Sequence, residues 1–166
     1  MNSDIFDSES DSEYGFCNVS KIKLQGELMP YIPNEDKNED GSTAVDATSS
    51  EDIVDAIEIA DNDENIQAII LEINSFGGGP VAAEEVANAL KRATKPTVAL
   101  IRGMGVSAAY WSAIGADVII ASANSDVGSI GITSSYLDNT EKNEKEGLTF
   151  NQISTGKFKD MLNSVC

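Results

Sequence analysis

The chain has 166 residues, 41% of them apolar and 23% charged, which suits one globular domain whose core needs no disulfide or metal to hold it. A balance of 28 acids against 11 bases, net −17, excludes a nucleic-acid partner, because a phosphate backbone is bound by a basic surface. The absence of histidine excludes Ser-His-Asp triads, Cys-His dyads and His-ligated zinc, so any general base must be Lys, Asp, Glu, Tyr or a terminal amine.

Residues 1–16 carry five acids, four serines and no base, the composition of a disordered acidic tail. Residues 17–166 are then expected to form a single α/β domain. The chain starts acidic, Met1-Asn2-Ser3-Asp4, where a signal peptide needs a basic region. Cys17 and Cys166 lie near opposite ends, too few for a Cys₄ metal site and not a disulfide framework. No metal or cofactor is implied.

Val19–Gly26 alternates apolar and polar residues, which predicts a strand. A polar loop follows from Pro33 to Ser50. Ser49, with Asp52 three residues on, predicts a helix start resembling a capping box, and Ile53, Ala56, Ile57 and Ala60 form one apolar face. Ile66–Ile73 is nearly continuously apolar, which predicts a strand buried on both faces. It leads into a turn at Asn74-Ser75-Phe76-Gly77-Gly78-Gly79, and Pro80 suits the first position of a second helix, with Val86, Ala89, Leu90 and Ala93 facing inward.

Pro96–Ile101 predicts the next strand, Gly103-Met104-Gly105 a turn, and Val106–Trp111 the opening of a short helix. Asp117–Ala121 predicts another strand and Val127–Ile132 a Gly-bounded extended piece. A charged helix is expected at about 134–146 and a last strand at Leu148–Ser154. The most apolar window, Val98–Ala123, is broken by Arg102, Asp117 and several glycines, so nothing is expected to span a membrane. The whole reads as a soluble chain. Strands alternating with helices predict an α/β fold with a largely parallel sheet.

Two segments carry chemistry. Three consecutive glycines after a buried strand bare backbone N–H groups that can donate to a carbonyl oxygen as it becomes negative; equally, such a turn can simply need positive φ. Ser107 sits after a glycine pair at the start of a helix, where a nucleophile gains from nearby N–H groups; equally, serine is a favoured N-cap. Without histidine, the base for a serine would be a neutral lysine, which requires lowering a pKa of ~10.4 by about 3 units, roughly 4 kcal/mol. Lys157 and Lys159 are the candidates near the C-terminus.

In order, Ile-Asn-Ser-x-Gly-Gly-Gly, Lys-Pro-Thr-Val-Ala, Ser-x-x-Tyr-Trp, Ala-Asp-x-Ile-x-Ala, Val-Gly-Ser-Ile-Gly-Ile and Gly-x-x-Lys-Asp resemble the signal peptide peptidase A family, over about residues 18–162. That resemblance implies a Clp-protease/crotonase-like fold of repeated β-α units and a serine endopeptidase with a Ser/Lys dyad. It implies Ser107 as nucleophile and Lys159, directly before Asp160, as general base in preference to Lys157. Ser129 would orient the lysine, and the amides of Gly78 and Ala108 would form the oxyanion hole. It implies peptide substrates, short and mostly apolar, such as signal-peptide remnants, and a homo-oligomer. Family members are often membrane-anchored and face the outside of the cytoplasm.

The chain departs from the family pattern at Phe76, where proline is usual, and at Ala108-Ala109, where glycines are commoner. It also ends soon after Lys159, where relatives continue, so a C-terminally truncated domain is expected. Two other readings stand beside the peptidase: a silent scaffold that binds peptides without cutting, and a crotonase-type acyl-CoA enzyme, for which only Arg92 and Arg102 supply arginine.

Overall fold

A computed structural model describes residues 17–33, 45–133, 135, 137–149 and 151. The tail at 1–16, Lys157 and Lys159 lie outside them. The chain divides into two units, Met1–Gly131 and Ile132–Cys166.

In the first unit, β1 (Val19–Met29), β2 (Ala47–Ser49), α1 (Ser50–Asn62), β3 (Ala68–Gly78), α2 (Pro80–Arg92), β4 (Thr97–Val106), α3 (Ala108–Ala113), β5 (Val118–Ala121) and β6 (Asp126–Gly128) succeed one another in chain order. The strands form one sheet in the order β2-β1-β3-β4-β5, with β6 also pairing β4. Every pairing is parallel. This is the expected repeated β-α architecture.

Local chemistry explains the helix starts. Ser49 caps α1 by accepting from the Asp52 amide at 3.4 Å, and Pro80 opens α2, where its missing N–H costs nothing. The entry to β4 is tied down by Asp117, whose carboxylate accepts from the Thr97 amide (2.8 Å) and hydroxyl (2.9 Å).

The connections β2-α1-β3, β3-α2-β4 and β4-α3-β5 all step the same way across the sheet. Right-handed crossovers therefore put all three helices on one face. The core records this: Ile22, Leu24 and Leu28 of β1, Ile69, Leu71 and Ile73 of β3, and Ala99 and Ile101 of β4 pack against Ile53 and Ile57 of α1, Val86 and Leu90 of α2, and Ala109 and Ala113 of α3.

The structure corrects several expectations. The β3 run is fully buried on one face only; Ile70 and Glu72, on the other, are half-buried. That second face carries Ile70, Val98 and Val118 in register, and all of β5 is exposed. The apolar run therefore reflects a strand whose second face, among the described residues of the first unit, has no helix over it. The polar loop hides a short strand, β2, which pairs the end of β1. Neither glycine segment is a turn. β3 continues through Asn74-Ser75-Phe76-Gly77-Gly78 because it pairs β1 again at Glu27 and Leu28, and β4 continues to Val106 because β6 pairs its end.

In the second unit, α4 is confined to Thr140–Lys145 and buries nothing. Asp138 accepts from the Thr140 amide at 2.9 Å. Leu148, Thr149 and Asn151 form no regular structure, and residues 150 and 152–154 of the expected last strand lie outside the described residues. No helix among the described residues is long and apolar enough to cross a membrane.

Candidate active site

The described candidate residues, Gly78, Ser107, Ala108 and Ser129, lie around the carboxyl ends of β3 and β4, the edge of an open parallel sheet where ligands bind. Both strands lose register there. Between Gln25↔Asn74 and Glu27↔Gly77, β1 advances two residues while β3 advances three. Between Ile73↔Ile101 and Ser75↔Gly105, β3 advances two while β4 advances four. Such bulges bend a strand and re-aim the residues beyond them.

Two adjacent side chains satisfy the backbone groups that these breaks release. Asn74 Oδ1 accepts from the Met104 amide at 3.2 Å. Ser75, 1% exposed, donates its hydroxyl to the Gly26 carbonyl at 2.6 Å and accepts from the Gly77 amide at 3.0 Å.

Ser107, between β4 and α3, has φ 54° and ψ −125°, in the left-handed region that a residue with a Cβ enters at a cost of ~1–3 kcal/mol. Its amide donates to the Gly128 carbonyl at 2.8 Å, and its carbonyl accepts from Trp111 at 3.0 Å. Its side chain makes no capping bond to α3, so the N-cap alternative does not describe this serine. Ser107 is half-buried at the start of α3, where the Ala108 amide has no acceptor within the helix. Ala108 and Ala109 are themselves buried under the sheet face.

Gly77 (φ 104°) lies directly against this serine. A Cβ on it would come within 2.9 Å of the Ala108 nitrogen and 3.0 Å of Ser107 Cβ. On Gly78 a Cβ would strike the Leu28 carbonyl oxygen at 2.0 Å. Both glycines are needed because backbone passes within contact distance. Phe76, at the proline position, is 54% exposed and lies within the strand.

Ser129 follows Gly128, the residue that holds the Ser107 amide, and is itself at φ 51° and exposed. The fold thus brings Gly77-Gly78, Ser107-Ala108 and Gly128-Ser129 to one place. Lys157 and Lys159 lie outside the described residues. Asn74 and Ser75, which the sequence presents only as part of a motif, are the polar side chains that tie this place together. The signal for them is two polar residues ending an otherwise apolar strand.

Among the described residues no three carboxylate or thiolate side chains gather into a metal-binding group. A groove of about 540 Å³ lined by Tyr31, Glu85 and Arg92 lies between α1 and α2 and shares no residue with the Ser107 region.

The fold, a parallel α/β sheet with helices packed on one face, is shared with a solved protein. The 1510-N membrane-bound stomatin-specific protease, solved as a serine-to-alanine mutant, has this fold, with a TM-score of 0.54 at 19% identity over 73% of this chain and 50% of that one. Residues 89–165 match the family model described as Peptidase family S49. Protease 4 of Haemophilus influenzae is 32% identical over 120 residues, 70% of this chain and 19% of that protein. The chloroplastic serine protease SPPA of Arabidopsis thaliana is 28% identical over 123 residues, 73% of this chain and 18% of that one. Over its carboxyl-terminal half the chain is thus similar to peptidase family S49, and over about two thirds of its length to proteins named protease 4 and signal peptide peptidase SppA. It spans between 18% and 35% of the length of the curated relatives it matches.

Proposed function

We propose that this chain carries the nucleophile of a serine-type endopeptidase that works through a Ser/Lys dyad. The observation that carries the reading is Ser107, whose side chain makes no capping bond and whose backbone is left-handed, with Gly77 lying beside its Cβ and the Ala108 nitrogen. A structural cap would bond to its helix; a nucleophile is left to meet a substrate.

In this mechanism Ser107 Oγ forms a bond to the acyl carbon of the scissile peptide while its proton passes to neutral Lys159. The Gly78 and Ala108 amides donate to the oxyanion, and losing one such donor typically costs ~10²–10³ in rate. The C–N bond breaks, and the amine leaves with the proton from Lys159. Water, with Lys159 again as base, then hydrolyses the ester. Ser129 holds the lysine amine toward Ser107; the Gly128–Ser107 hydrogen bond is consistent with that role. The substrates are short, mostly apolar, extended peptides such as signal-peptide remnants, and the working form is a homo-oligomer.

A fluorophosphonate probe tests this directly. Wild type is expected to label stoichiometrically and Ser107→Ala not at all. A wild type that never labels under conditions where it is folded supports the silent scaffold instead. The acyl-CoA reading gains nothing from the site, since Arg102 pairs with Glu72 at 3.3 Å on the open sheet face and Arg92 lies on α2.

A further inference from the structure

We propose that Ser75 is a positioning residue that decides which glycine amide faces the reacting serine; the proposal rests on the peptidase reading of Ser107. Three consecutive N–H groups are involved. The Gly77 amide is committed to Ser75 Oγ at 3.0 Å, and the Gly79 amide to the Leu28 carbonyl at 2.8 Å. Both bonds lie on the β1 side, since Ser75 Oγ itself donates to Gly26 of β1. Those two bonds fix the amides on either side of Gly78, and in this proposal they leave the Gly78 amide to turn toward Ser107, the residue that follows β4.

Without the Ser75 hydroxyl, this arrangement loses its first anchor. The bulge has already disrupted the regular ladder at this point: between Gln25↔Asn74 and Glu27↔Gly77 the single residue Gly26 faces two β3 residues, Ser75 and Phe76. The Ser75 hydroxyl bonds to both strands at once, as acceptor to β3 and donor to β1. It is buried at 1% exposure, so water does not replace it readily. An unanchored Gly77 amide would let the Gly77-Gly78 peptide units rotate, with either amide able to face Ser107. A donor misplaced by about 1 Å can cost ~10²-fold in rate.

The test compares wild type, Ser75→Ala and the nearly isosteric, weakly hydrogen-bonding Ser75→Cys. Two readouts are taken: hydrogen exchange of the Gly77 and Gly79 amides, and the rate of Ser107 phosphonylation by a fluorophosphonate together with kcat and KM on an apolar peptide. Faster exchange at Gly77 with Gly79 still protected, phosphonylation slowed ~10–100-fold, and a fall in kcat at unchanged KM are expected for Ser75→Ala, with Ser75→Cys in between. If wild type labels and either folded variant labels equally fast, the positioning role is wrong while the peptidase reading stands. If Ser75→Ala does not fold, the Ser75→Cys rates decide on the same criterion. If wild type does not label at all, the peptidase reading fails and takes this role with it.

Discussion

β3 and β4 are each two regions in one strand. From Ile69 to Ile73, paired with Thr97 to Ile101, the ladder is unbroken, and the side chains facing the helices are 0–1% exposed. Beyond Ile73 and Ile101 the register slips on both sides of β3, side chains replace ladder partners, and a serine takes up a left-handed backbone. The first region is built from burial and would accept any well-packed apolar set. The second depends on particular atoms, and its strain is held in place by the first.

The sharpest way to separate the two regions is to remove chemistry without touching packing. Lys159→Ala is expected to abolish peptide turnover while leaving the melting temperature within about a degree of wild type, and Lys157→Ala to be mild. The reverse order of effects would reassign the base. The wild-type rate should rise with pH as the lysine amine loses its proton, and a flat profile from about pH 6 to 9 would count against a lysine base.

A cut in the regular region should do the opposite. Ile73→Ala removes a fully buried side chain and should cost ~2–5 kcal/mol by urea unfolding. Ser107 phosphonylation in the remaining folded protein should change far less than in Ser75→Ala. Equal losses of rate in the two variants would erase the distinction between scaffold and site.

The smallest effect concerns the amino-terminal end of the same ladder. Hydrogen bonds from the Thr97 amide and hydroxyl hold the Asp117 carboxyl below its ordinary value of 3.8. A lowered folded-state pKa contributes stability that is present above the unfolded value and is lost as pH falls through the folded one. Wild type should therefore lose melting temperature below about pH 4 more steeply than Asp117→Asn. Parallel acid limbs for the two would show that the pair contributes nothing.

Legibility varies along the chain. Helix starts are readable because capping and Pro80 chemistry are local: the side chain and the amide it serves lie within one turn. The second face of β3 is not, because an apolar run does not say whether a layer lies on one side or both. The glycine segments look like turns in the sequence because whether such a segment stays extended depends on what pairs with it. Gly78 and Val106 are in strands only through Leu28 and Gly128, residues about 50 and 22 positions away along the chain. For the same reason Ser75 has no visible role in the sequence: its partner, Gly26, is 49 residues distant.

By itself, then, the order of residues determined most of the helices and strands and the α/β class, and offered a family resemblance with a short list of serines, glycines and lysines, because periodicity, caps and motif spacing are written along one strand of chain. Only the folded sheet decided that Ser107 is uncapped and left-handed, that Gly77 rests against it, and that Ser75 joins two strands across a bulge. Those facts depend on register, a relation between distant segments, and register is set by which surfaces the core buries together.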